Sequence, residues 1–282
     1  MIRPAVIRRS LPSDPAFRLG LALVLVAVLA ALLAPLLAPR NPFVGDLKHD
    51  FLTAPGTHFV LGADTQGRDI LSRVMYGARL SLAVGVISQV VAVLLGVTLG
   101  LMAGFHGRWV DALIMRLADV TLAFPALLLL IAVSAAVRPP YLVIFVLIGA
   151  VGWAGMARLV RGQVLVLRNA EYVTAARALG ARDGRILWRH LLPNVRAQII
   201  VAATLGMAGA IMAEAALSFI GLGAQPPTPS WGAMVAEGRD LLRVAPWVSL
   251  APGIAIGITV LGFNLVGDGL REAWDPKLRA RS

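Results

Sequence analysis

Few side chains in this sequence are placed to do chemistry. Glu214 is the one acidic residue inside an apolar stretch that otherwise runs from 197 to 222. An ionisable group at membrane depth is costly and marks ion or proton paths. Glu214, with Thr204 and Ser218 on the same stretch, is therefore a candidate for an ion-driven secondary transporter or for lining a substrate path. A buried, hydrogen-bonded structural role suits it equally. Asp119 and Asp268 stand at the edges of apolar runs, where capping or orienting a helix end is the simpler use. His49, His58 and His106 are isolated, so no metal ligand is assigned, and no nucleophile–base pair is visible. ATP hydrolysis would need a phosphate-cradling Gly-Lys-Ser/Thr loop. The only lysines, Lys48 and Lys277, precede His49 and Leu278, so no catalytic residue is assigned and no cofactor is expected on this chain.

The elements that position these residues follow from composition. Of 282 residues, 58% are hydrophobic and only 15% charged, where a soluble domain needs roughly a quarter. A lipid bilayer is thus the expected surroundings. The net charge of +11 does not mark a disordered basic chain, which would be poor in apolar residues. With no cysteine there is no disulfide, thiolate zinc site or iron–sulfur cluster. Charge-free runs long enough to cross a bilayer occur at 19–39, 80–105, 120–137, 139–157, 197–213 (continuing past Glu214) and 244–267. The expected fold is all-α, a polytopic protein with six transmembrane helices. The third and fourth spans are expected to meet in a tight turn at Arg138-Pro139-Pro140, with kinks or helix starts at Pro125 and Pro252. The first run is too long for the apolar core of a secretory signal and reads as an anchor.

Arginine distribution sets the orientation. With both termini cytoplasmic, the inner segments hold eighteen basic residues against eight outside. Inner charge then sums to +10 and outer charge to +1, so the excess marks topology and no nucleic-acid partner is expected. Residues 1–79 read as an N-terminal segment with the first span and an extracytoplasmic stretch, and 80–282 as a core with five spans. Gly96, Gly100 and Gly104 share one helix face, as do Gly253 and Gly257. Such faces pack helices closely, within this chain or against a partner subunit.

The 39-residue inner loop 158–196 carries eight arginines. Tyr172, Ala176 and Leu179 repeat at helical spacing before a Gly180 stop. Asp183 is expected to cap a second helix ending at Leu192, because Pro193 follows. Ile186, Leu187, His190 and Leu191 form its less polar side, with Arg182, Arg185 and Arg189 exposed. A solvated loop and a docking element for a cytoplasmic partner both fit. A DNA-binding helix-turn-helix does not, since both ends run into membrane spans. On the outer side, Ser230 is a candidate N-cap for a short amphipathic helix with Trp231, Met234 and Leu241. Trp231 and Trp247 suit interfacial anchors, and Trp231 also suits an outer gate.

Thr174-Ala175-Ala176-Arg177-Ala178-Leu179-Gly180, nine residues, then His190-Leu191-Leu192-Pro193 resembles the EAA loop of ABC importer permeases. Thr174 replaces the motif's Glu and His190 its Ile. Leu61 to Arg73 with Tyr76 to Ser81 is similar to the segment before the second span of peptide importer permeases. Glu214 to Gly223, then Pro229 to Gly232, and Asn264 to Arg271, then Asp275-Pro276, extend the resemblance to the C-type permease of dipeptide, oligopeptide and nickel importers. That resemblance implies a type I ABC importer permease fold and a peptide cargo, with nickel or another non-peptide cargo as the alternative. It implies a second homologous permease subunit, two ATPase subunits holding ATP and Mg, and an extracytoplasmic substrate-binding protein. The coupling loop would comprise Glu171, Thr174, Ala175, Ala176, Leu179, Gly180, Arg182, Asp183 and Pro193. Glu214, Ser218 and Trp231 would be candidates for the substrate path or outer gate.

Overall fold

The computed structural model describes residues 14–137 and 139–274. Asp14 caps α1 (Pro15–Leu37) by accepting from the Phe17 N–H at 3.1 Å. An irregular segment leads to α2 (Ile70–His106), α3 (Arg108–Ala123), α4 (Ala126–Val137) and α5 (Tyr141–Leu167). Then come α6 (Glu171–Ala178), α7 (Asp183–Arg185), a π-helical turn Ile186–Leu191, and α8 (Leu192–Phe219). The short α9 (Trp231–Gly238) precedes α10 (Trp247–Trp274). Among the described residues the only extended pairing is an isolated bridge between Ala63 and Asp69.

Five helical stretches, of 23, 37, 27, 37 and 28 residues, are long and apolar enough to cross a membrane. The expected run 120–137 is broken at Pro125, the position of the expected kink or helix start. It belongs to the pair α3 and α4, bent by 83° at Phe124-Pro125 and counting as a sixth span where the pair crosses as one. Proline lacks the donor and pushes the preceding residue out of the helical region, and Phe124 is extended at φ −98° and ψ 136°. The turn expected at Arg138 lies partly outside the described residues, and α5 begins just after Pro140. Pro252 sits inside α10.

Pro193 does not end a helix as expected. The stretch Asp183–Phe219 is continuous, with Pro193 as the second residue of α8. The π turn before it closes with the Leu192 N–H donating to the Leu187 carbonyl, a wider loop than an α turn. That extra residue per turn absorbs the proline's missing donor. Asp183 is the first residue of α7 and not its cap, a position Arg182 takes without a side-chain bond.

α2 is the central helix. It runs parallel to α5, with Gly96 against Met156, Gly100 against Ala157 and Val160, and Gly104 against Val164. A Cβ on Gly100 would come within 2.6 Å of the Ala157 carbonyl, so this glycine face packs helices inside the chain. α1 and α10 cover the other flank, with Gly20 on Leu265 and Gly269 on Phe17. Gly253 and Gly257 face no other element within 4 Å. Leu25, Val26, Leu29, Leu32 and Leu36 of α1 are exposed, as suits a lipid-facing surface.

Candidate functional site

Three features are built on this frame. The first is the α6–α7 hairpin at the arginine-rich end of the bundle. α6 ends in a two-bond left-handed cap: Gly180 has φ +81°, its N–H donates to Arg177, and the Ala181 N–H donates to Ala176. Val173, Ile186 and Leu191 are wholly buried against Val97, Leu101, Val160 and Val164 of α2 and α5. The hairpin is thereby fixed on the bundle's own core. Its other face is bare: Glu171, Thr174, Ala175, Leu179, Gly180, Arg182 and Asp183 are exposed, Ala176 is half-buried, and Pro193 is exposed on α8. Leu179 is 89% exposed, an apolar side chain left uncovered at the tip. The expected less polar side is largely covered, with Ile186, Leu187 and Leu191 buried and His190 half-buried, and Arg182, Arg185 and Arg189 are exposed.

The loop arginines divide into two groups. Arg161 pairs with Asp111 (2.7 Å, Nη2 to Oδ2), and Arg158 pairs with Asp119 at 2.6 Å, both joining α5 to α3. Arg168 donates to the Gly104 carbonyl at 3.1 Å. Asp119 thus orients a helix pair through an ion pair. Arg177 lies over the Phe105 ring at 5.5 Å.

The second feature is a cavity of about 630 Å³ at membrane depth, between α2, α5, α8 and the α3–α4 break. Gln89, Thr121, Pro125, Gly155, Gly206 and Gly209 are among its lining residues. Irregular backbone at this depth is tolerated where it is covered by protein or faces a cavity. The break at Pro125 does the latter.

The third feature lies at the opposite end from the hairpin. Ser218 donates to Glu214 Oε1 at 2.6 Å, and both are buried. Ser230 caps α9 by accepting from the Ala233 N–H at 3.1 Å, with its hydroxyl 3.5 Å from that of Ser218. Glu214 Oε2 has no hydrogen-bond partner and is buried. Trp231 is 2% exposed and donates to the Val74 carbonyl at 2.9 Å, so it is a core residue and not the interfacial anchor expected. As the first residue of α9, it packs its ring against Gly77 and the Ala78–Ile211 core. The structure therefore brings Glu214, Ser218 and Trp231 together. Beside them lies a cluster the sequence reading missed: Asp64, Arg68 and Arg73 are almost wholly buried and meet Glu237 of α9. In the sequence these charges enter only the outer charge count and the Leu61–Arg73 resemblance, and no spacing rule links position 73 to position 237. Among the described residues no group of three metal-ligating side chains converges.

The described residues thus form a multi-pass helical bundle with a cavity between α2, α5, α8 and the α3–α4 break and a hairpin presented at one end. Residues 96–280 match the family of binding-protein-dependent transport system inner membrane components, and the chain belongs to that family. It is 48% identical over 229 residues to a dipeptide transport system permease protein of Alkalihalophilus pseudofirmus, covering 81% of this chain and 75% of that one. It is 47% identical over 226 residues to a glutathione transport system permease protein of Pectobacterium atrosepticum, covering 80% and 75%. A putative peptide transport system permease protein of Brucella abortus is 45% identical over 271 residues, covering 96% and 91%.

Proposed function

We propose that this chain is a permease subunit of an ATP-driven peptide importer, lining half of the path and coupling to separate ATPase subunits through the 171–193 hairpin. The observation that carries this reading is the hairpin itself. A solvated loop has no need of a left-handed cap, a buried Val173 anchor and an apolar tip 89% exposed at Leu179. Those features are what a rigid lever needs to seat in a cleft of another subunit. An importer driven by ATP must couple to a nucleotide site, and this chain has no phosphate-cradling loop. ATP and Mg would sit on the partner subunits, whose closure would favour one arrangement of a bistable bundle.

In this reading the hairpin and both termini are cytoplasmic, and the 40–69 segment and α9 face the binding protein. The 630 Å³ cavity supplies this chain's share of the path, completed by a second, homologous permease. The relatives described above are named for dipeptide, glutathione and peptide transport, which favours a small peptide cargo over nickel.

The test is purification of the chain with its native partners, alongside Leu179→Asp and Gly180→Trp. Leu179 is so exposed that its replacement leaves the fold intact; a Cβ on Gly180 meets nothing within 4 Å, but at φ +81° any side chain strains the cap of α6. Leu179→Asp is expected to insert normally and weaken ATPase association about 30-fold, the loss of a contact worth about 2 kcal/mol. Gly180→Trp is expected to lose ATPase association or coupling. Normal peptide uptake by both variants, or no ATPase in the native preparation, overturns the assignment.

A further inference from the structure

Resting on that reading, we propose that Glu237 is the releasable arm of a buried ion latch that positions α9 against the outer end of α2. The latch has four charged members and no net charge: Asp64, Arg68, Arg73 and Glu237.

Its two carboxylates are held very differently. Asp64 is wholly buried and is bonded by its own neighbours. It accepts from the Gln66 N–H at 2.7 Å, the Arg68 N–H at 3.0 Å and Arg68 Nε at 2.7 Å, and it pairs with Arg73 Nη1. Gly67 supplies the positive φ (+70°) that this knot requires, and Asp69 caps α2 through the Ser72 N–H at 2.8 Å. Asp64 therefore travels with α2. Glu237 belongs to α9 and reaches across from the other side, accepting from Arg73 Nη1 at 2.7 Å, Arg73 Nη2 at 3.0 Å and Arg68 Nη2 at 3.4 Å. Its side chain is 24% exposed, the one member that water already reaches.

The arm crosses a seam between two bodies. On one side, α9 is fastened to α10 by Ser249 donating to the Val235 carbonyl at 2.9 Å, and to α8 by Gly232 packed on Ala215. On the other side stand the 63–73 knot and α2. Besides those of Glu237, two hydrogen bonds cross the seam among the described residues, both from indole N–H groups: Trp231 to the Val74 carbonyl at 2.9 Å and Trp247 to the Ala63 carbonyl at 3.2 Å. Each is a single neutral bond, while Glu237 makes a charge-assisted fork. When the seam parts, Asp64 stays bonded to both arginines, which then share one carboxylate and carry a net charge of +1, so opening has an electrostatic cost that Glu237 sets. Glu237 leaves into water. Apolar packing also crosses the seam, Ile70 with Met234 and Val248 and Ala78 with Trp231, so Glu237 is the charged and releasable part of the contact that holds α9 for a partner on that face.

The test uses the whole transporter in lipid, with spin labels at Lys48→Cys and Arg239→Cys on opposite sides of the seam; the chain has no native cysteine. Glu237→Gln keeps shape and removes charge, and it is expected to shift the distance distribution to a longer, broader one. It should raise ATP hydrolysis without binding protein about tenfold, a typical coupling between two states. Glu237→Asp, which keeps the charge, is expected to restore most of both, which a loss of packing would not do. Asp64→Asn leaves two buried arginines sharing the partly exposed Glu237 and undoes the 64–68 knot, and it is expected to reduce the amount of folded protein. An unchanged distance distribution in Glu237→Gln, or failure of Glu237→Asp to restore it, overturns the latch. The distance readout requires no ATPase, so a failure of the importer reading shows separately, as missing partners.

Discussion

Glu214 is the residue on which the ion-driven alternative depends. Its Oε1 accepts from Ser218, and Ser218 in turn lies beside the cap of α9. A proton relay needs a chain of exchanging groups across the membrane, and α8 offers only Thr204 besides, whose hydroxyl is engaged with the Ile200 carbonyl. Glu214 is better understood as a bracket tying α8 to the start of α9. Glu214→Gln retains an acceptor for Ser218 and is expected to keep uptake within about twofold, since a neutral hydrogen bond replaces one worth about 1 kcal/mol. Loss of uptake in this variant, together with uptake that collapses when the proton gradient is dissipated, would favour the ion-driven mechanism. At this scale the local geometry of the 171–193 hairpin was readable in the sequence. Gly180 announced its left-handed cap, and Ile186, Leu187 and Leu191 announced a buried side. Val173 was not singled out, because one apolar residue on an eight-residue helix has no periodic partner to make it stand out.

Between elements, glycine does two opposite things in this bundle. Gly96, Gly100 and Gly104 let α2 and α5 touch, whereas Gly155 and Gly209 border the cavity with nothing within 4 Å of a built Cβ. The same substitution should therefore separate the two roles. Gly100→Leu drives a side chain into the Ala157 backbone and is expected to cost well over the 1–3 kcal/mol typical of overpacking, seen as lost expression. Gly155→Leu and Gly209→Leu should fold and assemble normally, and even gain helix propensity, yet reduce peptide uptake about tenfold by filling the path. Unimpaired uptake in both cavity variants would remove the cavity from the path. Sequence could not tell these glycines apart, since all lie in apolar helices. Five spans and the break at Pro125 were legible from charge-free runs and proline, but the third run began too late. α3 carries Asp111 and Asp119 within its length, and only the fold reveals that Arg161 and Arg158 of α5 neutralise them. Pro193 misled for a similar reason, because a π turn upstream accommodates it and no local rule foretells one.

Across the whole molecule, the arginine bias gains a physical sense from where the charges lie. Of the five basic residues in 40–79, Arg68 and Arg73 are buried against Asp64 and Glu237 and Arg40 lies 3.8 Å from Asp50, so more than half of the positive charge of that segment is paired. At the other end Arg182, Arg185, Arg189 and Arg196 are exposed on or beside the hairpin. The end with unneutralised arginine is the one that resists translocation, so it should be cytoplasmic. The chain's lack of cysteine makes this directly measurable. Lys48 and Thr174 are both exposed and sit at opposite ends of the bundle, so single variants Lys48→Cys and Thr174→Cys report the two sides. A membrane-impermeant maleimide is expected to label Lys48→Cys in intact cells and Thr174→Cys only after permeabilisation. The reverse pattern would put the hairpin outside, out of reach of any ATP-binding partner, and would overturn the orientation and the coupling assignment together. The expected pattern would bring the apolar Leu179 tip and its arginine flank to the compartment where ATP is available. It would leave the Glu237 seam on the side from which a peptide arrives.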